Sequence, residues 1–241
     1  MAIQFQNMSQ TSDETKGAPP RCIGIIMDGN RRWARSRGLP TLEGHRVGYN
    51  KMKNFLTWAK EADIQFVIVY AFSSENWNRS PEEVSYLMNL FKHACAVELA
   101  HFKKENARLC VIGDRARLSA DVRSVLEQAE QETIDCTGVT LVLAISYGGR
   151  DEIVQAARAV CGKKPEEITQ ESFAEHLWTK DIPDPDLIIR TSGEHRLSNF
   201  LLWQAAYSEL FFTEPHWPDF SKQDFLKILE EYKNRERRFG K

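Results

Sequence analysis

Five short apolar runs, separated by longer amphipathic segments, constrain this chain more than any other feature. The runs are Cys22–Met27, Phe66–Phe72, Arg108–Ile112, Thr140–Ile145 and Leu187–Arg190. Short and apolar almost throughout, they suit strands buried on both faces. The segments between them predict helices over His45–Ala62 and Pro81–Glu105, then after Ser119, Arg150 and Ser221. The second helix opens with Ser80 as cap, Pro81 at the first helical position and Glu83 to close a capping box. Strand–helix alternation of this kind predicts an α/β fold: a single domain with a mostly parallel sheet flanked by helices. At 241 residues the chain can bury a sizeable core. Residues 1–20 are polar and turn-rich and read as a flexible tail, leaving residues 21–241 as the folded domain.

Charge and cysteine usage exclude several classes. The formal net charge is -2, so no global field draws in nucleic acid, and any anion site must be local. The five cysteines are widely spaced, odd in number and without a C-x-x-C pair, which fits a reduced compartment better than a disulfide framework or a zinc site. The longest apolar stretch is too short to span a bilayer, and the N-terminus lacks a signal-peptide pattern. A cytoplasmic protein is expected.

In open α/β sheets, ligands bind beyond the carboxyl ends of the strands. The five runs are followed by "DGNRRW", "SSENWNR", "GDR", "SYGGR" and "TSGEHRLSN", each with small or hydrogen-bonding residues and arginine. Arginine forks match phosphate oxygens two at a time, and glycines let backbone N–H groups approach an anion. Asp28 has the wrong sign for phosphate. Two readings fit it: it bridges to phosphate through a divalent cation, or it merely caps a helix or pairs with Arg31 or Arg32. No P-loop, no G-x-G-x-x-G and no aspartate-rich D-D-x-x-D segment is present, so a diphosphate is held in another way.

The segments "MDGNRRWA", "GHRVG", "YAFSSENWNRSPEEV", "YGGRDEI", "RTSGEHRLSNFLLWQAAYSELFF" and "WPDF" resemble those of the cis-prenyltransferases, and among these the bacterial undecaprenyl diphosphate synthases. The resemblance runs from Cys22 to the C-terminus. It implies a magnesium-dependent homodimer that condenses isopentenyl diphosphate units in cis onto an allylic diphosphate primer, farnesyl or geranyl diphosphate. The product would be a polyprenyl diphosphate, the undecaprenyl lipid carrier for cell-wall synthesis, with transient membrane association through that lipid.

The resemblance also implies roles. Asp28 would bind magnesium, and Glu209 corresponds to a second metal position, with His195 a weaker candidate nearby. Gly29, Asn30, Arg31, Arg32, Trp33 and His45 would cradle the allylic diphosphate. Ser73, Ser74, Glu75, Asn76, Trp77 and Arg79 match a loop that closes over the substrates. Arg190, Arg196 and Ser198 would hold the isopentenyl diphosphate. Arg238–Gly240, "RFG", resembles a motif that reaches the neighbouring subunit. Plainer roles fit some of these: half-buried aromatics for Trp33 and Trp77, a helix cap for His45, a surface glutamate for Glu209, a basic helix end for "RFG". Asn76 matches a residue named as proton acceptor, but a neutral amide is a poor base; positioning by Asn76, or proton uptake by released diphosphate, is the alternative.

One departure matters. Relatives carry a diphosphate-binding arginine where this chain has Thr41, so Arg35, Arg37 or Arg46 must supply that contact or it is lost. Val84, Leu87, Met88, Phe91, Cys95, Leu99 and Phe102 recur at helical spacing and predict a core face that also lines a hydrophobic tunnel for the growing product. A non-catalytic partner subunit would have lost Asp28 or its arginines. A two-metal nuclease or phosphatase would show more clustered carboxylates.

Overall fold

The structure is a computed structural model that describes residues 18–235. Most of the expected N-terminal tail, and the whole of Arg238–Gly240, lie outside these residues.

Six strands form one sheet: β1 (Cys22–Ile26), β2 (Phe66–Ser73), β3 (Arg108–Ile112), β4 (Thr140–Tyr147), β5 (Leu187–Arg190) and β6 (Glu209–Phe212). Their order is β3-β4-β2-β1-β5-β6, and every pairing is parallel. β1 is central, and all five of its residues are buried. Alternate residues feed two apolar clusters. Ile23, Ile25, Val67, Val69, Leu141 and Leu143 pack with Phe55, Leu87, Leu126 and Phe225, whereas Cys22, Ile26, Ile68 and Val142 pack with Phe200 and Leu201. Both faces are therefore covered, as the unbroken apolar runs require.

The helices are α1 (Asn30–Ser36), α2 (Thr41–Glu61), α3 (Pro81–Lys104), α4 (Ala120–Glu132), α5 (Gly149–Val160), α6 (Gln170–Ala174) and α7 (Lys222–Asn234). The edge strand β3 is blunted by α4. Thr133 Oγ1 accepts the Leu109 N–H at 3.0 Å and Glu130 Oε1 accepts the Val111 N–H at 2.7 Å, so neither donor invites another strand.

Three details differ from the sequence reading. β6 has no counterpart among the apolar runs: "ELFF" is a four-residue, half-buried edge strand with too few residues to register as one. α1 lies outside the expected helices, the first of which begins at His45, and Gly29 rather than Asp28 stands at its cap. The capping box at α3 forms only in half. Ser80 Oγ accepts the Glu83 N–H at 3.3 Å, but the Glu83 carboxylate is drawn to Arg31, Arg79 and the His45 ring instead of returning to the cap.

The strand order reverses at β1: β2 lies on one side and β5 on the other. That is the switch point where α/β sheets bind ligands beyond the carboxyl edge.

Candidate active site

Beyond Ile26 the chain turns sharply. Gly29 has φ +98°, and a Cβ there would lie 2.7 Å from His216 Nδ1 and 2.8 Å from Ser192 Oγ. Both the backbone conformation and the space demand glycine. The Asp28 carbonyl accepts the Trp217 N–H at 2.9 Å and the Thr191 hydroxyl at 2.8 Å. α1 then packs so closely on α2 that a Cβ on Gly44 would meet the Asn30 carbonyl oxygen at 2.0 Å, which accounts for the first glycine of "GHRVG".

The Asp28 side chain sits among guanidinium groups. Arg190, at the end of β5, donates to Asp28 Oδ2 at 2.8 Å, and Arg32 of α1 lies 3.3 Å from Oδ1. Burial pushes the Asp28 carboxyl up, but the Arg190 hydrogen bond and charge, the Gly29 N–H and Arg32 outweigh it and hold its pKa below the usual value. Arg190 is almost fully buried and spreads its fork further, donating to Ser198 Oγ at 2.7 Å and to the Arg196 carbonyl at 2.5 Å. Its Nε is buried without a partner. Arg32 pairs at 2.9 Å with Glu194, which also pairs with Arg196. Asp28, Arg190, Arg196, Glu194 and Arg32 thus form a ring of charged residues, closed by ion pairs and by the Arg190 hydrogen bond to the Arg196 carbonyl.

A second cluster centres on Glu83. Its carboxylate meets His45 Nε2 at 3.1 Å, Arg79 at 3.0 Å and Arg31 at 3.3 Å. Burial lowers the pKa of His45, with the Glu83 hydrogen bond opposing it; Glu83 itself, despite burial, is lowered by His45, Arg79 and Arg31.

The Ser73–Arg79 segment supplies Arg79 to the Glu83 cluster. It forms a 3-10 turn over Ser74–Asn78. Asn76 Oδ1 accepts the Ser73 N–H at 3.2 Å. Trp77 donates to Ser146 Oγ at 3.0 Å and packs edge-on against Phe72. Glu75 accepts from Asn199 Nδ2 at 2.9 Å. Trp33 donates to Asp219 Oδ1 at 2.8 Å, and Arg37 lies over its ring, 4.4 Å from the centroid.

Some expected residues are not brought together. Glu209 opens β6 opposite Leu187, at the amino end of the strand, and pairs with Arg235, so within one chain it does not reach Asp28. His195 stacks on Phe212. Arg37 and Arg46, two candidates to replace the arginine missing at Thr41, are engaged by Asp219 and Glu43. Other site residues escape the sequence reading. Glu194, Asn199 and Asp219 lie inside recognised segments but have no role assigned from sequence, and Glu83 reads there only as part of a cap. Ser192 also lies inside a recognised segment with no role assigned from sequence, and His216 falls just outside "WPDF".

An apolar cavity of about 130 Å3 adjoins the cluster, lined by Met27, Tyr49, Met52, Leu87, Leu90 and Phe91, with Asn30, His45, Asn76 and Arg79 supplying polar groups. All of the tunnel-helix residues named above belong to the core cluster or pack against it, and Leu87 and Phe91 also line this cavity.

An arginine-rich carboxyl edge at a switch point, one carboxylate at its centre and an apolar cavity behind it define an enzyme that handles diphosphates on hydrocarbon tails. A family model described as "Putative undecaprenyl diphosphate synthase" matches residues 26–240. An isoprenyl transferase of Rhizobium meliloti is 51% identical over 227 residues, 92% of each chain. One of Thermotoga maritima is 46% identical, covering 92% of this chain and 97% of its own. Among solved structures, lavandulyl diphosphate synthase from Lavandula x intermedia, in complex with dimethylallyl diphosphate, superposes with a TM-score of 0.89 at 36% identity, covering 93% of this chain and 99% of its own. The chain belongs to the undecaprenyl diphosphate synthase family of cis-prenyltransferases, and it elongates prenyl diphosphates.

Proposed function

We propose that the chain is a magnesium-dependent, homodimeric cytoplasmic enzyme that adds isopentenyl diphosphate units in cis to a farnesyl or geranyl diphosphate primer. The observation that carries this reading is the charge ring around Asp28. Each arginine that would meet phosphate already holds a carboxylate or a carbonyl, so the cradle is pre-assembled around oxygen ligands.

The allylic diphosphate would enter at the start of α1, meeting Gly29 and Asn30 N–H groups, Arg31, Arg32 and His45. Arg190, Arg196 and Ser198 would hold the isopentenyl diphosphate across the ring. Among the described residues no three His, Cys, Asp or Glu side chains converge as a metal cage. That donor set nonetheless fits magnesium, which commonly takes one carboxylate and completes its shell with substrate phosphates and water. Asp28 would hold it, and it would supply charge neutralisation on the leaving diphosphate. Glu209 could contribute only from a partner subunit.

The chain's own residues then position two reactants. The allylic C1–O bond breaks and diphosphate departs, the isopentenyl double bond attacks C1 and leaves a tertiary cation on the isopentenyl unit, and a proton is lost from the isopentenyl carbon beside that cation to form the new double bond. The Asn76 carbonyl oxygen is occupied by the Ser73 N–H, which favours a positioning role for Asn76 and the departing diphosphate as the base. The cavity at about 130 Å3 is well below the roughly 300–1,000 Å3 of ordinary ligand pockets, so a polyprenyl tail would require α2 and α3 to move apart. Among the described residues no helix is long and apolar enough to cross a membrane. Membrane contact would come through the lipid product.

The test is incubation with labelled isopentenyl diphosphate, magnesium and each allylic primer, followed by chromatography of the dephosphorylated products. Elongated polyprenols are expected; their absence with every primer would contradict the reading.

A further inference from the structure

We infer that Asn199 is a positioning residue that latches the Ser73–Arg79 segment to the Arg190–Ser198 loop. It rests on the placement of the substrates proposed above. Asn199 sits in a strained stretch: Ser198, Asn199 and Leu201 have φ of 49°, 67° and 47°. Non-glycine residues in this region persist only where their surroundings hold them, and they gather at functional sites. Here the surroundings are specific. The Asn199 carbonyl accepts the Gly149 N–H at 2.7 Å, and its Oδ1 accepts the Arg150 N–H at 2.8 Å, fixing the residue to the start of α5. That leaves its Nδ2 to donate to Glu75 Oε1 at 2.9 Å.

One side chain therefore ties three segments. Its immediate neighbour Ser198 takes the Arg190 hydrogen bond, and Glu75 immediately precedes Asn76 and Trp77. A second contact runs in parallel: the Tyr70 hydroxyl, on β2, lies 3.2 Å from the Ser198 carbonyl. Movement of the Ser73–Arg79 segment is thus coupled to the loop that would hold the isopentenyl diphosphate. Asparagine suits the position because it tolerates a left-handed conformation and presents an acceptor and a donor at once. Aspartate would keep the first two properties and lose the third, placing a carboxylate against Glu75.

The test is a swap in the full chain, comparing Asn199→Asp, Glu75→Gln and the double variant. Asn199→Asp still accepts the Arg150 N–H, so its melting temperature should stay close to wild type. Its KM for isopentenyl diphosphate should rise about tenfold, and backbone amides of residues 73–79 should exchange faster with deuterium. Glu75→Gln keeps an acceptor for Asn199, so its amide exchange over residues 73–79 should stay near wild type and its own KM is the reference for the double variant. In the double variant the amide introduced by Glu75→Gln can donate to the carboxylate introduced by Asn199→Asp, so exchange should return toward wild type and KM toward that of Glu75→Gln alone. A silent Asn199→Asp, or a defect that the double variant leaves unrepaired in both readouts, overturns the latch. The exchange readout needs no turnover, so it tests the latch even if the wild-type chain fails to elongate a primer, an outcome that would sink the functional reading alone.

Discussion

Arg190, at the end of β5, donates to Asp28 Oδ2 at 2.8 Å across the point where the strand order reverses. The Arg190 side chain is 4% exposed and that of Asp28 is 28% exposed. A partly exposed carboxylate is thus held by a guanidinium that is almost fully buried. Arg190 fixes the geometry of Asp28, and through Ser198 and the Arg196 carbonyl it fixes the next loop as well.

Lysine at 190 would keep the charge but could not bridge three acceptors from one rigid fork. Arg190→Lys should raise the KM for isopentenyl diphosphate about 10- to 100-fold, as loss of a hydrogen bond to a charged group implies. The KM for the allylic primer should change little in steady-state kinetics with each substrate varied in turn. A selective rise in the primer's KM would mean that the two diphosphate sites are reversed.

Acid should weaken the fold in two stages at the Glu83 cluster. Burial depresses the pKa of His45 in the folded state, so the unfolded chain takes up that proton first and stability falls as pH drops below His45's ordinary 6.5. Glu83 is depressed below its ordinary 4.5, so its contribution is present above that value and is lost as pH falls further. Urea denaturation from pH 7 down through both ordinary values should show both stages. His45→Gln should flatten the first and keep the second. An unchanged first stage in that variant would assign it to other groups.

Glu152 is fully buried and accepts from the Tyr147 hydroxyl at 2.5 Å, Gln204 Nε2 at 3.0 Å, and the Thr179 N–H and hydroxyl at 3.2 Å. Removing it strands several buried donors. Glu152→Ala should cost about 3 kcal/mol of stability, read as a lower urea midpoint at unchanged m-value. Glu152→Gln, which retains an acceptor, should cost less. Equal stability of Glu152→Ala and wild type would contradict this account of the cluster.

The sheet is legible in the sequence because five of its strands are buried on both faces and leave unbroken apolar runs. β6 is not, since a four-residue edge strand buried on part of its surface leaves no such signature. α1 is hidden by its charges: "NRRWARS" carries too little apolar periodicity to stand among the expected helices. The arginines of the site are legible as types at strand ends. Their carboxylate partners are not, because Glu83 is 52 positions from Arg31 and Glu194 is 162 from Arg32. Only the strand order brings them together. Glu209 shows the converse, a residue singled out by resemblance that one chain alone cannot place at Asp28.

Prenyl transfer, on the function proposed above, takes place at Asp28. Asparagine there keeps an acceptor for Arg190 and removes the charge, so the fold should hold with a melting temperature near wild type. Loss of one electrostatic contact to a transition state lowers rates by about 10²- to 10³-fold. Initial rates of labelled isopentenyl diphosphate incorporation into farnesyl diphosphate, with magnesium present, should fall by at least that factor in Asp28→Asn. A folded Asp28→Asn chain that turns over at near wild-type rate would contradict the account.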